Sequence, residues 1–166
     1  MLTGITEMPE KGYALDAMPN GMVRITMYKN PVVEQDADEH ERMSANIVTL
    51  EIKNFSGLET ELDENLDWYW TKGEAAQTER LTKQFTQAVQ DYMDAKVQER
   101  GYDNIASACT YALSSDITFA AEGTAAKNWR DKVWRQCYDT VADVVSGKRA
   151  VPSITELLNE LPQLEW

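Results

Sequence analysis

From Ser115 to Gly147 apolar residues return at steps of three and four: Phe119, Ala126, Trp129, Val133, Cys137, Val141 and Val144. That is the spacing of one face of an α-helix. Trp134, Tyr138 and Val145 stand beside the stripe and widen it, so this helix needs covering on more than one side. Ser115 or Asp116 can cap its start by accepting bonds from the unpaired N–H groups of the first turn. Gly147, followed by Lys148 and Arg149, marks its end, with cations near the negative pole of the helix dipole. Gly123 interrupts the pattern and predicts the close approach of a neighbouring helix.

A second helical pattern runs from Glu74 to Arg100, with Leu81, Phe85, Ala88, Val89, Tyr92 and Met93 on one face and Lys, Gln and Asp on the others. Gly101 ends it, and Asp103 can cap a shorter helix whose Ile105, Ala108, Cys109, Ala112 and Leu113 face inward. Short joints between helices imply antiparallel neighbours, hence a three-helix bundle from about residue 75 to 147. After it, Ser153 and Glu156 have the spacing of a capping box, and the helix they open buries Leu157, Leu158 and Leu161 before Pro162 stops it.

The first third of the chain has a different period. Tyr13 to Met18 and Met22 to Tyr28 flank Pro19-Asn20-Gly21, and Asn-Gly between candidate strands is a strong hairpin signal because both residues tolerate positive φ. Val23, Ile25 and Met27 share one face of the second strand. Asn46 to Lys53 alternates in the same way, with Val48, Leu50 and Ile52 together, and reads as a third strand. Leu58, Leu62, Leu66 and Trp70 then recur every four residues, a helix of about three turns laid across the sheet. Thr71-Lys72-Gly73 reads as a break, while Met1 to Gly12 has no period and reads as an irregular arm. The expected fold is therefore α+β. A small N-terminal antiparallel sheet with a covering helix (residues 1–72) precedes a three-helix bundle with a short C-terminal helix (residues 74–166).

Composition narrows the functional classes. In 166 residues, 43% are hydrophobic and 15 aromatic, enough for a real core. The net charge of −12 repels phosphate backbones and anionic lipid, which disfavours nucleic acid and membrane surfaces as partners. No stretch has the length of a membrane span, and the N-terminus does not resemble a signal peptide, so a reducing cytoplasm is expected. Cys109 and Cys137, each in a helical pattern, read as small buried thiols. Glu34 to Arg42 is acidic and aperiodic, an exposed loop carrying the single histidine, His40. A metal or general-base role would need other His, Cys or well-placed carboxylate partners, and His40 reads instead as a solvated loop residue.

Candidate chemistry is sparse. No nucleophile–base pair is legible, and neither GxxxxGK[ST] nor GxGxxG occurs, so no catalytic residue, cofactor or metal is expected. The first helix carries Glu59, Glu61, Asp63, Glu64 and Asp67 with no basic residue before Lys72. This negative stripe, with Trp68 and Trp70, is a candidate surface for a cationic partner. Trp129, Trp134 and Tyr138, with Trp68 and Trp70, have the helical spacing of core packing, filling the seam between the bundle and the N-terminal unit, rather than of a ligand pocket. Trp166, the last residue, either packs back on the fold or projects into a partner.

Three segments, GYDNIASACTY, FAAEGTAAKNWRDKVWRQCYD and GKRAVPSITELLNELPQLEW, resemble the C-terminal half of small proteins encoded by tailed bacteriophages and prophages, often beside tail-fibre genes. The matching positions are Tyr102, Asp103, Ile105 and Ser107, then Phe119, Glu122, Gly123, Trp129, Arg130, Asp131, Trp134 and Tyr138. Gly147, Pro152, Glu156, Leu157, Leu161, Pro162 and Trp166 complete the set. The resemblance spans about residues 75–166, and PNGMVRITMYKN and ENLDWYW extend it faintly into the N-terminal half. It implies a non-enzymatic accessory or structural role that binds a phage tail or tail-fibre protein in the host bacterial cytoplasm, with self-association and retention in the virion left open. It carries no activity. An alternative from the charge is an acidic phage-encoded inhibitor that occupies a host protein's nucleic-acid site.

Overall fold

The structure, a computed structural model, describes residues 2–35 and 41–166. His40 and the middle of the acidic loop lie outside the described residues. The fold is α+β, with an antiparallel four-stranded sheet followed by helices. The chain divides into two compact units, Met1–Thr82 and Lys83–Trp166, each with its own core.

The first unit is built on the sheet. Strands β1 (Leu2–Ile5), β2 (Tyr13–Ala17), β3 (Met22–Gln35) and β4 (Glu41–Lys53) lie in the order β1-β4-β3-β2. The β2–β3 hairpin turns at Pro19–Gly21, where Asn20 and Gly21 take φ of 63° and 70°, the left-handed conformation that Asn-Gly tolerates. Pairing sets Ile25 opposite Leu50 and Met27 opposite Val48, so the alternating apolar residues of three strands share one face. Val23, Ile25, Met27 and Val48 are buried there under Leu58, Leu62, Tyr69 and Trp70 of the covering helix.

Three expectations change in this unit. The aperiodic arm contributes a short edge strand, β1, which pairs with β4 at Leu2↔Asn46 through Ile5↔Met43. Backbone bonding to an existing strand needs no side-chain period. The described ends of the acidic loop are strand, with oppositely charged Glu34 and Arg42 in register. The break at Thr71–Gly73 is absent, for α1 runs from Leu58 to Gln98 with its one irregularity at Asn65 (φ −128°). Gly73 is buried against the sheet, and a Cβ there would lie 2.3 Å from Val48 Cγ1 and 3.1 Å from Met27 Cε. The glycine lets helix meet sheet at a separation that no side chain permits, an advantage that outweighs its poor helix propensity.

In the second unit, Val89, Met93 and Val97 of α1 pack with Ala126, Trp129 and Val133 of α3 (Ile117–Val145) and with Leu157 and Leu161 of α4 (Ile154–Glu160). Asp116 caps α3, its carboxylate accepting from the Thr118 and Phe119 N–H groups, and Gly147 (φ 73°) follows its end. The capping box of Ser153 and Glu156 is formed. The expected middle member of a three-helix bundle shrinks to α2, six residues from Ile105 to Thr110, followed by a 3-10 turn at Tyr111–Leu113. Its cap is Asn104, not Asp103, and accepts from the Ser107 N–H. Gly123 explains how so short an element packs: a Cβ there would stand 2.1 Å from the Ala112 nitrogen. The anticipated close approach is real, but the neighbour is a turn.

The stripe on α3 is covered on one side only. Trp129 and Val133 are buried, whereas Phe119, Tyr138, Val141 and Val145 remain exposed. Thr140 is buried instead, its Oγ1 without a hydrogen-bond partner. Gly123→Ala is expected to lower the stability of this unit in urea unfolding by about 1–3 kcal/mol, because backbone has to move. A better helix former offsets that loss by at most about 1 kcal/mol. Thr140→Val, of equal shape, is expected to raise it by about 1 kcal/mol, since it removes an unpaired buried hydroxyl.

Candidate partner-binding surface

The first turns of α1 place their carboxylates in two rows, and the sheet decides what each row does. Leu58, Leu62 and Tyr69 point into the core, which turns Glu59, Asp63 and Asp67 along the flank of the sheet. Lys11 Nζ donates to Asp63 Oδ2 at 2.7 Å and lies 3.8 Å from Glu59. The Tyr13 hydroxyl donates to Asp63 Oδ1 at 2.8 Å. These bonds hold the Asp63 carboxyl below its ordinary range, Lys11 first and Tyr13 second. Lys29 Nζ donates to Asp67 and stands 4.8 Å from the ring centre of Trp70. The inner row is thus partly compensated within the unit by two lysines that are distant in sequence, which no local charge count could reveal.

The outer row stays open to solvent. Glu61 accepts from Asn65 Nδ2, and neither Glu61 nor Glu64 has an ion-pair partner among the described residues. Trp68 is 57% exposed beside them. Its ring meets Tyr69 edge-on at 4.9 Å, and Lys72 Nζ lies 5.3 Å from its centre. Of the residues singled out from the sequence, Glu59, Asp63, Asp67, Trp68 and Trp70 therefore come together in the first unit. Trp70 is buried, and Asp63 and Asp67 are exposed but engaged by lysines, so the exposed groups without an internal cation among the described residues are Glu61 and Glu64, next to Trp68.

Trp166 belongs to the second unit and packs back on it. Its ring stacks on Tyr102 at 5.8 Å, Arg100 lies 5.7 Å from its centre, and it is 42% exposed. Beneath it, Arg100 and the Tyr102 hydroxyl both donate to Glu122, whose side chain is largely buried. Trp129 enters the helical core and its indole N–H donates to the Pro162 carbonyl at 2.7 Å. That bond ties the tail to α3.

Other candidate chemistry is limited. An open pocket of about 330 Å³ lies where the sheet ends and α1 begins, lined by Leu15, Ala17, Val23, Phe55, Leu58 and Glu59 among others. Among the described residues, no three His, Cys, Asp or Glu converge as metal ligands. Cys109 and Cys137 are free and half-buried, and burial pushes both thiols up. Among the described residues, no helix is long and apolar enough to cross a membrane. No family model matches the chain, and no curated protein or solved structure matches it.

Desolvation first, and the bond to Glu122 second, push the Tyr102 hydroxyl up to about 12. A group whose pKa rises on folding stabilises the fold fully below its unfolded value. Its contribution then fades as pH climbs through the folded one. Stability of the second unit is expected to decline between about pH 10 and 12. Tyr102→Phe should flatten that part of the curve in urea unfolding at stepped pH.

Proposed function

We propose that the protein acts by binding another protein, as a non-enzymatic accessory or structural component of a phage tail or tail fibre. The observation that carries the binding role is Trp68, a large ring left exposed beside the unpaired carboxylates of Glu61 and Glu64. Exposed tryptophan is the residue type that most often anchors interfaces. Carboxylates around it select a cationic partner and steer its approach. The assignment of that partner to a phage tail rests on the sequence resemblance over residues 75–166. The alternative, an inhibitor that imitates a nucleic acid, needs an array of free carboxylates. The ties of Lys11 to Asp63 and of Lys29 to Asp67 weigh against it.

Co-expression with the tail-fibre protein of the same phage tests the reading. Trp68→Ala is expected to cut fibre capture by about tenfold or more, with the fold retained because the ring lies outside the core. Glu61→Lys with Glu64→Lys should also weaken it and abolish its salt dependence. Fibre capture, solubility and trimerisation that do not depend on this protein or on Trp68 would remove the proposal.

A further inference from the structure

The C-terminal half of α3 presents an apolar row whose last three members no described residue covers. Tyr138 is 67% exposed, Val141 58% and Val145 82%, and half-buried Trp134 begins the row. Their steps of four, three and four residues are those of a helix–helix seam. The sides of α3 that face the core, marked by Ala126, Trp129, Val133 and Thr140, lie around the helix from Tyr138, Val141 and Val145, and only Trp134 of this row also packs against the core.

The charges around the row are the reverse of the chain's. From Lys127 to Arg149 the basic residues are Lys127, Arg130, Lys132, Arg135, Lys148 and Arg149, against Asp131, Asp139 and Asp143, within a protein of net charge −12. Lys127 precedes Trp134 by two helical turns on the same face, and Arg135 lies three residues from Tyr138. Arg130 is held by Asp131 at 2.9 Å, whereas Lys127 and Arg135 have no ion-pair partner among the described residues. Carboxylates are abundant in this chain, so unpaired cations beside an apolar row indicate that their counter-charge comes from outside.

We infer that this face of α3 docks an acidic amphipathic helix of a different protein. Apolar side chains of that helix lie along Trp134, Tyr138, Val141 and Val145, and its flanking carboxylates meet Lys127 and Arg135. This is helix-on-helix recognition through anchors spaced at three and four residues. The site differs from the Trp68 surface in unit and in sign, since it selects an anionic partner where the other selects a cationic one.

Fluorescence anisotropy with two labelled synthetic peptides, each about three heptads long, tests the inference on the full chain. Both carry leucine at the seam positions; one has glutamate at the flanks and the other lysine. The glutamate peptide is expected to bind about tenfold or more tightly than the lysine peptide, with the preference shrinking as salt rises. Val141→Asp with Val145→Asp should abolish binding, and Lys127→Glu with Arg135→Glu should reverse the preference; all four residues are exposed, so both variants keep the core. Failure of the glutamate peptide to bind, equal binding of both, or undiminished binding to the double aspartate variant overturns the inference. So does self-association of the wild type in sedimentation velocity that Val145→Asp abolishes, because a second copy would then be the occupant.

Discussion

Burial of one sheet face beneath the first turns of α1 is the constraint from which the first unit follows. A small sheet with Val23, Ile25, Met27 and Val48 on one side is not stable in water unless that side is covered. The cover has to come close, and Gly73 sets how close, because its missing Cβ leaves room for Val48 and Met27. Once the helix is seated, the placement of the side chains on its first turns is decided. Leu58, Leu62, Tyr69 and Trp70 go inward, Glu59, Asp63 and Asp67 meet the lysines of the sheet side, and Glu61, Glu64 and Trp68 are left outward. The exposed surface is a consequence of the packing beneath it.

The second unit repeats the device with different parts. Gly123 admits the backbone of Tyr111 and Ala112 to the surface of α3, closer than any side chain allows, so a turn does the work of a bundle helix. Trp129 then fixes the tail through the Pro162 carbonyl, and Trp166 stacks on Tyr102, whose hydroxyl donates to Glu122. Ion pairs on such surfaces contribute little each, about 0–1 kcal/mol. What orders this corner is the chain of ring contacts from Phe119 through Tyr111 and Tyr102 to Trp166, edge-on at the first two and stacked at the last, with Tyr102 bonded to the largely buried Glu122 carboxylate.

Features written in local chemistry were legible in the sequence. The shared face of Val23, Ile25 and Met27, the Asn20-Gly21 turn, the Asp116 cap, the Ser153–Glu156 box and the glycine stop at Gly147 depend on residues a few positions apart. Features decided by partners far along the chain were not. Strand β1 has no period because β4 supplies its pairing, and Gly73 signals a break locally although a contact with the sheet reverses its meaning. The acidic stripe looked uniform because the lysines that pair with Asp63 and Asp67, Lys11 and Lys29, come from other elements. Apolar spacing located the stripe on α3, yet it could not distinguish residues that face the core from Tyr138, Val141 and Val145, which face water.

That last ambiguity has a physical resolution in charge. A helix row that serves a core is bordered by residues indifferent to it, and their charges follow the composition of the chain. Along α3 the border departs from the composition, with cations gathered where the protein elsewhere places carboxylates. Exposed valines in isolation need no explanation, since much of any protein surface is apolar. Valines at seam spacing, next to an exposed tyrosine and to cations without partners, form a pattern that single exposures do not, and the two surfaces of opposite sign have one logic. In each, packing fixes the rigid backbone first and leaves one aromatic and its charged neighbours pointing outward, ready to be covered without reorganisation of the fold.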